Sequence, residues 1–387
     1  MVSIKEVSAK SVFDSRNEKT IEVSIKTNVG SFSASAPTGK STGKYEAKPY
    51  KKSLDDDIKT IEKFSDYFSE EVIMQFDDLK MVEDIAEGHF GANTIFALES
   101  AILKALAKEN KIEVWQVVNP KAKRFPRLVG NCIGGGRHSD AEKKPDFQEF
   151  LLIPNEKTVS ESFEKSKSIK ESVRFDLAKE DEKFEKKKND EDAWISSLNE
   201  KDVLDIINKT KVPFGVDVAS SEFYSRKKYL YKNPMLKRTP EEQTKYLSNL
   251  IGNLKIFYIE DPFNEDDFES FSELTKKFPN SVIVGDDLTV TNYDRLSKAI
   301  KMQSISGIIV KPNQNGNLTE VKRVCELAKK SGIKIIFSHR SGETSENILA
   351  DLAFGFQADF LKCGITGRER EAKINRLIEI EKSLRKL

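Results

Sequence analysis

The sequence predicts an α/β protein, a (β/α)8-type barrel with a smaller N-terminal α+β domain ahead of it. Two patterns and one contrast predict this. From residue 126 onward, apolar runs at 147–153, 212–216, 255–259, 282–284, 307–310, 333–337 and 359–361 alternate with polar segments long enough for helices. The polar residues ending the later runs, Glu260, Asp286, Lys311, His339 and Lys362, lie 26, 25, 28 and 23 residues apart, the length of one strand–helix unit. Before residue 126 strands come first and helices follow, the order of an α+β layer.

In chain order, Ile21, Val23 and Ile25 alternate with Glu22, Ser24 and Lys26, and Asn28-Val29-Gly30 turns the chain into a second strand at 31–36. This reads as an antiparallel hairpin with one solvated face. From Leu54 the spacing becomes helical through Ile58, Ile61, Tyr67 and Phe68. A second helix is expected after Gly91-Ala92-Asn93, with Ile95, Leu98, Ile102, Ala105 and Leu106 on one side. The first domain is expected to span 1–124 and the barrel 125–387. Pro213 suits the run at 212–216 only as a strand start, because it cannot donate a ladder hydrogen bond. Segment 178–192 holds twelve charged residues out of fifteen, so it reads as a solvated loop or helix surface anchored by Trp194. In an open doubly wound sheet, the structural alternative, the strand ends would lie along a line instead of around one mouth.

With 64 basic and 63 acidic residues, nothing in the total charge asks for nucleic acid or an anionic membrane. Three cysteines without a C-x-x-C spacing favour a reducing compartment over a disulfide scaffold. The first residues lack the apolar core of a signal peptide, and no run approaches the ~20 apolar residues of a membrane span. The chain reads as soluble and cytoplasmic.

Chemistry concentrates at the strand ends. The run Phe257-Tyr258-Ile259-Glu260 is stopped by Pro262, which places Glu260 at the end of a buried strand. Two other runs end in the same way, at Asp217 and Asp286. A single strand-end acid would favour a plain strand-end cap or a lysine partner. Three in neighbouring units favour one Mg²⁺ ion held by hard oxygens, with its remaining positions left to water or substrate. Lys311 and Lys362 also end apolar runs, where burial is expected to lower the ammonium pKa and so provide a general base. His339-Arg340-Ser341-Gly342 offers a bidentate fork and further donors to a small anion, a phosphate or carboxylate. Residues 34–41 differ from the nucleotide-binding pattern G-x-x-x-x-G-K-[ST] only at the first position. They follow an alternating hairpin, however, and Gly43 and Pro49 leave no room for the helix such a loop must open.

Four segments taken together resemble the signature segments of the enolase family, and they fall in the family's order. They are Ile259-Glu260-Asp261-Pro262-Phe263, residues 285–292, residues 217–224 and residues 338–344. The resemblance runs over nearly the whole chain. It implies an enolase-type barrel and a hydro-lyase, phosphopyruvate hydratase, that interconverts 2-phosphoglycerate and phosphoenolpyruvate in glycolysis and gluconeogenesis. It further implies two Mg²⁺ ions per active site and a cytoplasmic homodimer. Carried over by position, Asp217, Glu260 and Asp286 hold one ion, and Ser41 helps hold the other. Lys311 removes the C2 proton, and Glu191, supported by Glu149, helps the C3 hydroxyl leave. Lys362 and His339 line the site, Arg340 and Ser341 bind phosphate, and Gln148 and His138 complete the pocket. The chain departs from the family pattern in loops, at Arg16-Asn17-Glu18-Lys19-Thr20, Thr38-Gly39-Lys40-Ser41, Gly136-Arg137-His138-Ser139-Asp140, Asn189-Asp190-Glu191-Asp192-Ala193-Trp194 and Cys363-Gly364-Ile365-Thr366. Two other readings remain open here: a paralogue acting on another small phosphorylated or carboxylated acid, and a non-catalytic binding protein, which would need neither base nor acid.

Overall fold

The structure, a computed structural model, describes residues 1–40, 43–69 and 71–385. The N-terminal sheet consists of β1 (Val2–Phe13), β2 (Lys19–Thr27), β3 (Gly30–Ser35) and β4 (Val72–Ile73), in the order β3-β2-β1-β4. The expected hairpin is present as β2 and β3, closing at Thr27 and Gly30, and Ile21, Val23 and Ile25 are buried while Lys26 is exposed. β1 escapes the sequence reading because its register shifts between Ile4 and Glu6. Such a bulge leaves Lys5 and Glu6 both exposed and breaks the period of two. The expected helices form at Leu54–Lys63, where the Ser53 side chain accepts from the Asp56 N–H, and at Ala92–Asn110, whose apolar face packs on β2 and β3.

After Arg127 the chain builds β5 (Arg127–Gly134), β6 (Glu149–Leu152), the short β7 (Trp194–Ile195) and β8 (Phe214–Asp217). A small meander follows, β9 (Tyr224–Ser225), β10 (Lys228–Lys232) and β11 (Met235–Arg238). Then come β12 (Tyr258–Glu260), β13 (Val282–Gly285), β14 (Gly307–Val310), β15 (Lys334–Ser338) and β16 (Phe360–Lys362). Eight of these, β5, β6, β8 and β12 to β16, form a closed barrel, because β16 also pairs with β5. Closure rules out the open sheet. The interior is filled by Val129, Leu151, Tyr258, Val284, Ile309, Ile336 and Phe360, among others, as a packed barrel core requires.

The barrel differs from the expectation in two ways. β5 is an eighth strand that the apolar runs do not reveal, because Gly130 and Asn131 interrupt it. A Cβ on Gly130 would come 2.5 Å from the Ile365 side chain, so close approach of a neighbouring loop requires the glycine. β6 runs antiparallel to both β5 and β8. The link from β5 to β6 contains only one short helical turn, Gly136–His138, and a strand that returns without a crossover helix must run the other way. The start of β6, and not its end, therefore reaches the mouth formed by the C-terminal ends of the others.

Pro213 lies just before β8, where its carbonyl accepts from the Ile153 N–H at 2.8 Å. The charged segment begins in the last turn of the helix Val159–Glu180 and continues as a loop, and Trp194 anchors it, buried, with its indole N–H on the Lys170 carbonyl at 3.0 Å. Two of its acids are not solvated as expected: Asp181 and Glu191 are buried. Among the described residues no helix is long and apolar enough to cross a membrane.

Candidate active site

Asp217, Glu260 and Lys362 end β8, β12 and β16, while Asp286, Lys311 and His339 each come one residue after a strand. Glu149, Asp217 and Glu260 are in register across β6, β8 and β12. One ammonium therefore reaches all three: Lys362 Nζ lies 3.1 Å from Glu149 Oε2, 3.2 Å from Asp217 Oδ2 and 2.8 Å from Glu260 Oε1. Lys311 Nζ pairs with Asp286 Oδ2. A cleft opens beside these groups, lined also by Gly39, His138, Gln148, Glu191, Arg340 and Ser341.

The expectation that burial lowers the two lysine pKa values is overturned. Burial does oppose the charge on Lys362, but Asp217, Glu149 and Glu260 outweigh it and hold the ammonium well above its ordinary range. Lys311 is likewise raised, burial being outweighed by Asp286. Among the acids, burial and then the neighbouring Asp217 charge push Glu260 well up. Asp286 stays low because Lys311 overcomes the effect of burial.

A second cluster adjoins the first. Glu191 Oε1 lies 3.6 Å from His138 Nδ1 and 3.5 Å from His339 Nε2, and Oε2 accepts from Asn131 Nδ2 at 2.9 Å. The two imidazoles differ in charge. Burial disfavours protonation of His138, but Glu191, Glu149 and Asp190 overcome it and raise the pKa to about 9. Burial, reinforced by the charges of Arg370 and Lys362, pushes His339 well below the usual imidazole value. At neutral pH the site thus holds one imidazolium and one imidazole.

A third group lies where the loop after β3 meets the loop after β15. The Arg340 fork donates to Glu46 through Nη1 at 2.7 Å and Nη2 at 3.2 Å. Ser341 Oγ accepts from the Lys40 N–H at 2.7 Å and from Arg16 Nη1 at 3.2 Å. The loop from β3 is stitched to the loop after β15 by reciprocal backbone hydrogen bonds between Thr38 and Gly342, at 2.7 and 2.9 Å. No helix opens there among the described residues, as the sequence reading required. Ser41 lies outside the described residues. Gln148 Nε2 donates to Asp217 at 3.4 Å, and its Oε1 is buried without a partner.

Two groups of three side chains among the described residues bring donor atoms within 4.8 Å of one another, His138–Glu149–Glu191 and Asp261–Asp286–Asp287. Of the expected trio only Asp286 belongs to either. Asp217 and Glu260 are turned toward Lys362, and Glu260, fully buried, also accepts from the Tyr258 hydroxyl at 2.6 Å. Both Asp261 oxygens accept backbone N–H groups, from Asp286 at 2.9 Å and Asp287 at 2.8 Å, so Asp261 shapes the strand exit. The donor chemistry fits a hard divalent cation: Glu149, Glu191, Asp217 and Asp286 bring carboxylate oxygens to the cleft, Glu260 ends the strand beside Asp217, and the buried Gln148 Oε1 has no partner.

Asn131, Tyr258 and Glu46 were not found from the sequence. Tyr258 carries a legible signal, since two positions before Glu260 puts it on the same face of β12. Asn131 needed β5 to be recognised. Glu46 is 294 residues from Arg340, a pairing that no local pattern encodes.

Comparison with known proteins agrees with this arrangement. The family model described as "Enolase, C-terminal TIM barrel domain" matches residues 123–386, and "Enolase, N-terminal domain" matches residues 4–118. Curated proteins named enolase are similar over almost their full length. That of Methanosphaera stadtmanae is 35% identical, covering 98% of this chain and 97% of its own. That of Archaeoglobus fulgidus is 34% identical over 99% and 98%, and that of Pyrobaculum aerophilum 33% over 98% and 96%. With both family models matched in order and the strand-end acids, lysines and histidine gathered at one barrel mouth, the chain belongs to the enolase family.

Proposed function

We infer that the chain is a hydro-lyase that reversibly dehydrates 2-phosphoglycerate to phosphoenolpyruvate. The observation that carries this reading is the convergence on one cleft of a lysine backed by Asp286, a buried acid between two differently charged histidines, and an arginine fork beside a serine. Lys311 takes the proton from C2. Glu191, whose Oε2 is held by Asn131, delivers a proton to the departing C3 hydroxyl, and Glu149 supports it through His138. Neutral His339 and charged Lys362 line the cleft, Gln148 and His138 close it, and Arg340 and Ser341 receive the phosphate. The fork that now grips the Glu46 carboxylate has the geometry for two phosphate oxygens.

Asp217, Glu260 and Asp286 would hold one Mg²⁺ ion, and Ser41 would contribute to a second. Such ions would supply positive charge against that developing on the substrate carboxylate, and Asp286, engaged as a ligand, would hold the Lys311 proton less tightly. We read residues 1–124 and 125–387 as the two domains of a cytoplasmic homodimer that works in glycolysis and gluconeogenesis.

The test is ultraviolet absorbance of the enol phosphate formed from 2-phosphoglycerate and Mg²⁺. Absence of signal from folded, metal-loaded protein overturns the reading. Where turnover is present, Lys311→Ala is expected to slow exchange of the C2 proton with solvent by about 10²–10⁴-fold. Exchange at the wild-type rate removes Lys311 from the base role.

A further inference from the structure

Glu191 sits in a tight loop whose geometry is set from outside the cleft. Its N–H and that of Ala193 both donate to Asn189 Oδ1, at 3.0 and 2.9 Å, and the Asn189 N–H returns to the Ala193 carbonyl at 2.9 Å. The next residue, Asp192, has φ of +62°, a left-handed conformation that disfavours most side chains. Its carboxylate is met by Lys170 Nζ at 2.9 Å, by Lys188 Nζ at 3.0 Å and by the Thr366 hydroxyl. The buried Lys170 ammonium also reaches the Asp192 carbonyl and Thr366 Oγ1. Thr366 follows β16, the strand that ends in Lys362. In the same segment, a Cβ on Gly364 would come 2.7 Å from the Glu191 carbonyl.

None of Lys170, Asp192 and Thr366 lines the cleft. A buried ammonium–carboxylate pair contributes little net stability after desolvation, and its best-attested use is to fix one arrangement over others. Resting on the function proposed above, we propose that Lys170, Asp192 and Thr366 are positioning residues, a bracket that clamps the Glu191 loop between the helix Val159–Glu180 and the segment after β16. Through it the acid is registered against the strand that carries Lys362. Glu191 hangs from a backbone held at its C-terminal neighbour on three sides, so loosening that neighbour displaces the carboxyl while leaving Lys311, just after β14, in place.

The test compares Lys170→Met and Thr366→Val, the second at a half-buried position that tolerates change if the first does not fold. Product formation is expected to fall about tenfold or more, as an ångström-scale misplacement of a reacting group does. C2 proton exchange should change less than about twofold, since it depends on Lys311. In a Glu191→Gln background the same substitutions should cost almost nothing further, and Lys170→Arg should restore much of the loss. Product formation and exchange falling together, or the full loss recurring beside Glu191→Gln, overturns the proposal. Backbone amide exchange of residues 188–194, measured on the same variants, does not depend on turnover. Faster exchange there with the rest of the protein unchanged supports the bracket even if the wild type fails the absorbance assay, a failure that counts against the enolase reading. Unchanged exchange overturns the bracket.

Discussion

Glu149 divides its two oxygens between the two charge clusters, Oε2 toward Lys362 and Oε1 toward His138 at 3.2 Å. It thus joins the strand-end lysine to the Glu191 group. His138 depends on this arrangement. Its pKa of about 9 lies above the ordinary 6.5, so its contribution to stability is complete below pH 6.5 and is lost as pH rises through about 9. We expect His138→Gln to lower stability at pH 6.5 by on the order of 3 kcal/mol and to have little effect above pH 9.5. Urea midpoints across that range check this, and a constant difference between the two proteins would contradict it. The individual strand-end residues were legible because a period of about 25 residues displays them. Their pKa directions were not, because burial alone argues for lowered lysines, and the opposing charge comes from the register of Glu149, Asp217 and Glu260 beside Lys362 and from Asp286 beside Lys311.

Loops decide how well these residues are presented. A Cβ on Gly342 would come 1.9 Å from Asp14 Oδ2 and 2.2 Å from Thr38 Oγ1, the point where the β3 loop is stitched to the loop bearing Arg340 and Ser341. Gly342→Ala is therefore expected to cost about 1–3 kcal/mol of stability and to raise KM for the phosphorylated substrate severalfold. Thermal unfolding and steady-state kinetics measure both, and an unchanged KM would separate the stitch from phosphate binding. The loop departures from the family pattern have physical counterparts in one another. Asn17 and Asp192, each in one of these divergent loops, both adopt positive φ, 59° and 62°, which short polar side chains tolerate. Asp192 meets Thr366 from another divergent loop, and the Lys40 ammonium lies 3.7 Å from Asp140 and 4.0 Å from Asp190. A reading along the chain finds each departure singly, since their pairing exists only in space. The direction of β6 was hidden for a related reason: a strand buried on both faces has the same composition whichever way it runs.

Across the whole molecule, the N-terminal helices hold the barrel through carboxylates at a helix start. Glu99 Oε2 accepts from the Leu318 N–H at 2.7 Å and Glu83 Oε1 from the Thr319 N–H at 3.0 Å, capping the helix Leu318–Lys330. Burial, with the charge of Glu83 added, raises the Glu99 pKa well above the carboxylate range, so its stabilising contribution is lost as pH rises through that raised value. Glu99→Gln keeps an acceptor for Leu318 and has no charge to bury. It should raise the thermal midpoint at alkaline pH, whereas Glu99→Ala should cost about 1–3 kcal/mol by leaving a buried N–H unpaired. A lower midpoint for Glu99→Gln would show that the ionised form is the one that holds the domains. The two-domain layout was legible from the change of period near residue 126. This contact was not, because it joins residues more than two hundred positions apart. The pairing of β16 with β5 bears also on synthesis. β5 is the first barrel strand to leave a ribosome and β16 the last, so the ring stays open until the segment with Lys362 emerges. Until then Glu149, Asp217 and Glu260 lack their shared cation. A nascent chain cannot assemble this site early: ring closure and arrival of the one ammonium its three acids share come in the same late step.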